Sequence, residues 1–119
     1  MSATKTSKTL LASQSLSVSS SLNATEWNMT TCYGGLLCVK FTNGGSAPTV
    51  APVATFYVGE GSGTKRQIYT ASGNTTASSV TDLVCEIPAS AMYGNCTVSL
   101  GAATNAVTVE IYGQELTTI

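Results

Sequence analysis

Tyr33-Gly34-Gly35-Leu36-Leu37-Cys38-Val39-Lys40-Phe41-Thr42-Asn43-Gly44-Gly45 is the stretch that decides the fold. Leu37, Val39 and Phe41 recur at every second position, the period of a strand with one face in a core, and Asn43-Gly44-Gly45 is a strong turn signal behind it. The same period returns on both sides. Leu16, Val18 and Leu22 share a face of a first candidate strand, and Pro52–Val58 is apolar on both faces. That segment runs into Gly59-Glu60-Gly61-Ser62-Gly63 and resumes at Lys65–Ala71, so the two strands read as a hairpin with a Gly-rich tip. Leu83, Cys85 and Ile87 line one side of Ser79–Ile87. Cys96, Val98 and Leu100 do the same for Asn95–Leu100, and Val107, Val109 and Ile111 for Ala106–Gly113.

Seven or eight short strands with turn signals between them predict an all-β chain folded as one antiparallel β-sandwich, jelly-roll or Ig-like. No segment supports a helix of ordinary length. A single helical turn fits only Pro88-Ala89-Ser90-Ala91-Met92-Tyr93, where Pro suits the first helical position. Tyr93 in that place resembles a tyrosine corner, which would favour the Ig-like form. The chain has 119 residues, enough for one domain. Residues 10–119 form the predicted sandwich, and residues 1–9 are a polar amino-terminal arm that lacks a periodic apolar face.

Composition removes several functional classes. There is no His, so Ser-His-Asp and Cys-His catalysis and most zinc sites are out of reach. Five basic side chains against six acidic ones leave no positive field for phosphates, so nucleic acid is not an expected partner. No apolar run is long enough to span a membrane. Among the carboxylates, Glu110 with Glu115 or Asp82 with Glu86 could be imagined as an acid–base pair or a calcium site, but solvated strand faces look the same. Gly59–Gly63 followed by Lys65 and Arg66 lacks the Gly-Lys-Ser/Thr ending of a phosphate loop and opens a strand instead of a helix. Trp27, Tyr33, Tyr57, Tyr69 and Tyr112 could line a sugar-binding face, yet their scatter favours packing. No catalytic residue, cofactor or metal is expected.

Four Cys and the Asn-x-Ser/Thr triplets at Asn23, Asn28, Asn74 and Asn95 could point to a secreted, glycosylated protein. A chain holding 34 Ser and Thr yields such triplets readily, and the amino terminus has no apolar stretch of signal-peptide length. Synthesis and retention in a cytoplasm follow, with the four thiols unpaired and no Cys-x-x-Cys to clamp a metal.

Tyr33 to Gly44, Ala47-Pro48-Thr49-Val50, Ile87-Pro88 through Met92-Tyr93, and Ala106-Val107-Thr108-Val109-Glu110 ending in Gln114-Glu115-Leu116 resemble small virion structural proteins of tailed bacteriophages. The likeness extends to the opening Lys5-Thr6-Ser7-Lys8-Thr9-Leu10-Leu11. It implies a non-enzymatic capsid decoration, or cement, protein on the outer surface of the head. Its partners would be the major capsid protein and further copies of itself, a trimer being anticipated from the axes a capsid offers. Lys5 and Lys8 are the expected capsid contacts. The alternative is a head or tail appendage module that binds host glycans.

Overall fold

A computed structural model describes residues 4–61, 64–102 and 104–118. The described residues are strands and connecting turns. Nine β-segments occur: β1 (Thr4–Leu16), β2 (Ser20–Asn23), β3 (Trp27–Asn28), β4 (Gly35–Asn43), β5 (Val53–Gly61), β6 (Thr64–Ser72), β7 (Val80–Ile87), β8 (Tyr93–Leu100) and β9 (Val107–Thr118). They form two antiparallel sheets, one ordered β1-β9-β4-β7 and the other β2-β8-β5-β6, with β3 also paired to β8. Because β2 and β3 are successive pieces of one path along β8, the molecule is an eight-stranded jelly roll with one interrupted strand. This order decides between the two sandwiches that the sequence left open. Only β5 and β6 are hairpin neighbours; the other connections cross between the sheets.

The period-two residues fill the space between the layers. Leu37, Val39, Phe41, Cys85, Ile87, Val107, Val109 and Ile111 come from one sheet, and Ala54, Phe56, Cys96, Val98 and Leu100 from the other. Trp27 and Met29 close one end of the core. Cys85 and Cys96 therefore face the same core from opposite sheets.

Three local readings are corrected. Residues 4–9 are not a separate arm: β1 runs unbroken through Thr9 and Leu10 and pairs along β9 from Thr4↔Thr118 to Leu16↔Val107. Residues 1–3 lie outside the described residues. The segment Leu16–Leu22 is not one strand, because Ser19 adopts φ 54° and turns the chain from the first sheet into the second. Leu16 is buried at the end of β1, whereas Val18 on the turn is 41% exposed. Finally, Tyr93 begins β8 opposite Asn28 and Gly59, and its hydroxyl makes no hydrogen bond among the described residues. There is no tyrosine corner. Pro88–Ala91 makes a single turn closed by Ala91 N–H donating to the Pro88 carbonyl at 3.0 Å.

Asn43 ends β4 as a buried clamp. Its Nδ2 donates to the Asn74 carbonyl (3.0 Å), Asn74 Oδ1 (2.9 Å) and the Thr76 carbonyl (2.9 Å). Asn74 Nδ2 donates onward to Ser79 Oγ (3.0 Å) and Thr81 Oγ1 (2.9 Å). The β6–β7 connection is thereby fixed to the ends of β4 and β7 by side-chain amides.

Candidate functional surface

The triplet asparagines are occupied by the fold. Asn74 belongs to the clamp just described, and Asn23 Oδ1 accepts from Thr97 Oγ1 at 2.9 Å. Asn28 Oδ1 accepts from both the Thr30 amide (3.0 Å) and its hydroxyl (2.7 Å), and buried Asn95 accepts from the Cys96 amide at 2.7 Å. Each side chain has a structural use that accounts for its presence.

Lys5 and Lys8 are exposed on β1, but the register parts them. Lys5 pairs with Leu116 and shares a shallow depression with Leu36 and Gln114 on the outer face of the sheet. Lys8 pairs with Gly113, over which the Trp27 ring lies, and acts electrostatically on Cys32. The two ammonium groups therefore serve opposite sides of the β1–β9 ribbon and do not make one patch.

The carboxylates are equally dispersed. Asp82 and Glu86 lie on the outer face of β7, separated by four residues, or about 13 Å of strand. Glu115 turns inward, where its Oε2 accepts from Trp27 Nε1 at 2.9 Å, while Glu110 pairs in register with Lys40 on β4. Neither anticipated pair is brought together, and no group of three His, Cys, Asp or Glu residues able to hold a metal ion occurs among the described residues. The aromatic rings are also spread out. Trp27 and Phe56 are in the core, Tyr69 stacks on Phe56 at 5.8 Å, and Tyr33 and Tyr112 stand on other parts of the surface.

All four cysteines are free thiols. Burial pushes every one of them up from about 9, Cys96 furthest, to about 12, with neighbouring Cys85 adding to the effect. Protonated thiols are poor nucleophiles, so the surface offers no activated cysteine. Cys38 lies on the outer sheet face, yet it is covered by its cross-strand neighbour Tyr112. Since the folded state keeps protons that unfolded thiols release, this contribution to stability is whole below pH 9 and is lost as pH rises toward 12. Two measurements check the thiols. Alkylation after denaturation without reductant should modify four Cys, and the urea midpoint should drop between about pH 8 and 10.5, less so in Cys96→Ala. A pH-independent midpoint, or fewer than four modified residues, would contradict this account.

What the structure does gather is apolar surface. Ile68 (43% exposed), Tyr69 (48%), Val80 (49%) and Val84 (54%) are half of the exposed large hydrophobic side chains among the described residues. All four sit on β6 and β7, the terminal strands of the two sheets on the same side of the sandwich. Between them runs an open groove of about 420 Å³ lined by Ile68, Tyr69, Val84, Cys85, Glu86 and Pro88. A β-bulge builds it. Tyr69 pairs with Phe56 and Gln67 with Tyr57, so Ile68 has no partner and joins its neighbour Tyr69 on the groove wall. The sequence reading missed this surface, since an exposed strand with the order Gln67-Ile68-Tyr69-Thr70 shows no period. The available signal was two large apolar residues side by side in a strand without a buried face.

The chain is an all-β jelly roll with an apolar, open edge at β6 and β7. Comparison with known proteins agrees at the level of fold. No protein-family model matches the chain, and no curated protein sequence does. Among solved structures, the chain is similar to a Bacillus endospore appendage protein from a family of disulfide-linked pili (11% identity, TM-score 0.53, all of this chain and 93% of that one). It is similar to the SPBc2 prophage-derived protein YomS (17% identity, TM-score 0.51, 96% of each chain). A chain of the infectious bursal disease virus Gt strain also matches (14% identity, TM-score 0.55), with 93% of this chain covering 31% of that one.

Proposed function

We propose that the protein is a non-enzymatic structural component of a bacteriophage virion, a decoration protein that sits on the outer surface of the head and stabilises it. The observation that carries this reading is the pairing of a jelly-roll core with exposed apolar surface on β6 and β7. Its fold neighbours in a prophage-derived protein, a pilus and a virus support it. The major capsid protein and further copies of this chain are the proposed partners. Cement acts by burying surface across subunit boundaries, which requires stiffness and neutral hydrogen-bonding side chains rather than an active site. The 34 Ser and Thr provide the polar rim, and the net charge of −1 leaves attachment only weakly dependent on ionic strength.

The test uses particles. Binding only to the assembled shell stabilises that shell by mass action, about 2.7 kcal/mol per site at a hundredfold excess over Kd. Heads stripped of the protein are expected to release DNA at a lower temperature than decorated heads, and added purified protein should restore the difference. Identical thermal release would reject the cement role. Binding to host glycans with a few copies on the tail would favour the appendage alternative, against which the dispersal of the aromatic rings already argues.

A further inference from the structure

We infer that the β6–β7 edge is a self-association surface, on which two copies of this chain pair about a twofold axis parallel to the strands. Three observations select a second copy as the occupant.

The first is apolar matching. Ile68, Tyr69 and Val84, which line the groove, need an apolar counterpart, and the opposite side of the sandwich cannot supply one. There β1 presents Lys5, Thr6, Ser7 and Lys8, and β2 is Ser20-Ser21-Leu22-Asn23. A head-to-tail contact would set apolar groove against hydroxyls and ammonium groups. An isologous contact sets the groove against itself, which is the arrangement that satisfies it. For this reason the edge points to a twofold axis, where capsid symmetry alone had pointed to a threefold one.

The second is charge. β6 carries Lys65 and Arg66, and β7 carries Asp82 and Glu86. Two edge-on twofold axes are available. An axis normal to the sheets would lay β7 against β7 and β6 against β6 with height reversed, so that Asp82 of one copy faces Glu86 of the other across Val84. An axis parallel to the strands lays β6 of one copy against β7 of the other, and the charges then complement each other twice. The heights agree. Arg66 shares a depression with Pro88, while Ile68 and Tyr69 share the groove with Val84 and Glu86, so Arg66 stands level with the Glu86–Pro88 end of β7. A strand-parallel axis preserves height, bringing Arg66 toward Glu86 of the second copy and Tyr69 toward Val84 of the second copy.

The third is size. β7 has eight residues, about 26 Å of strand, and the molecule is 19 Å thick in its shortest dimension. The face is thus on the order of 500 Å² per copy, below the roughly 800 Å² of a standard stable interface. The expected dimer is a weak one with a micromolar Kd, strengthened when copies are held side by side on a particle. The bulge at Ile68 interrupts the edge ladder of β6, so side-chain packing carries the contact there, not strand addition.

The experiment is sedimentation equilibrium of the full chain through the micromolar range, without capsid, so its failure is separate from failure of the decoration role. Monomer–dimer exchange is expected. Val84→Asp should weaken it about tenfold or more, with unchanged circular dichroism because the side chain is half exposed. Glu86→Arg should weaken it by about the same factor, and adding Arg66→Glu should restore it. A chain that stays monomeric at the top of the range would overturn the proposal. So would a trimer. Unchanged association in Glu86→Arg would overturn the strand-parallel axis, and so would tighter association, which requires β7 to face β7.

Discussion

Trp27→Ala is expected to cost about 3–5 kcal/mol, out of a total stability of roughly 6–18 kcal/mol for a chain of this length. Trp27 is wholly buried on β3, a segment of only two residues whose own ladder consists of two pairings with β8, Gly94 and Tyr93. Thr25 N–H to the Leu10 carbonyl (2.9 Å) and Met29 N–H to the Met92 carbonyl (2.8 Å) tie down its flanks. The indole spans the sandwich: an added Cβ at Gly113 on β9 would come within 3.0 Å of its Cη2 and Cζ3, and one at Gly94 within 3.6 Å of its Cε3. Both strands therefore carry glycine where the ring lies. Truncation opens a cavity against backbone on two sides, and backbone in paired strands collapses poorly into a void. It also removes the donor to Glu115 Oε2, leaving a part-buried carboxylate oxygen without its partner. Urea unfolding of Trp27→Ala and Trp27→Phe separates the two effects. The Phe variant keeps most of the volume and should lose about 1–3 kcal/mol through the hydrogen bond and the missing ring. Equal losses in both variants would place the stabilisation in the hydrogen bond and not in the packing.

Much of the core is legible in the sequence. Leu37, Val39 and Phe41, then Cys85 and Ile87, then Cys96, Val98 and Leu100, then Val107, Val109 and Ile111 all face inward as their spacing predicts. These strands have sheet on both edges, or a buried face throughout, so alternation survives in the sequence. What escaped reading belongs to the sheet margins. β1 buries only Leu10 and Leu16 of its thirteen residues, so its register on β9 is held by backbone hydrogen bonds that leave no apolar signature. β6 buries no residue from Lys65 to Thr70, and its bulge puts two successive side chains on one wall. Trp27 is a single core residue between polar neighbours, too short a pattern to count as a strand.

Asn43 shows the opposite error. Read with Gly44 and Gly45 as the start of a turn, it is instead the last residue of β4, and its amide is a buried donor to the β6–β7 connection. Residue type signalled a chain reversal nearby, while its use depended on Asn74, more than thirty residues away in sequence. The jelly-roll order has the same character. It is a property of long-range pairings such as β1 with β9 and β2 with β8, which local periodicity does not encode.

Gly35→Ala should be severely damaging, with an expected loss above about 3 kcal/mol and little soluble protein. Gly35 opens β4 at the point where the chain enters between β7 and β9, pairing with Ile87 on one side and Glu115 on the other. A Cβ there would overlap the Gln114 carbonyl oxygen and come within 2.9 Å of the Gln114 carbon. The obstructing atoms are backbone of a central strand, so relief requires β9 itself to move. Moving β9 disturbs both of its ladders, including the inward position of Glu115 beneath Trp27. Gly34 adds a second constraint. It sits at φ 78°, in the left-handed region, and the turn it makes lets Tyr33 N–H donate to the Leu116 carbonyl at 2.7 Å and Leu116 N–H donate to the Gly34 carbonyl at 3.0 Å. Gly44 and Gly45 supply the control, because a Cβ at either meets nothing within 4 Å. Alanine there should change stability by less than about 1 kcal/mol, and could raise it by restricting the unfolded chain. Thermal melts of the four single Gly→Ala variants make the comparison. If Gly35→Ala melts with Gly44→Ala, the close approach of β4 to β9 is not what demands glycine at the entry to the strand.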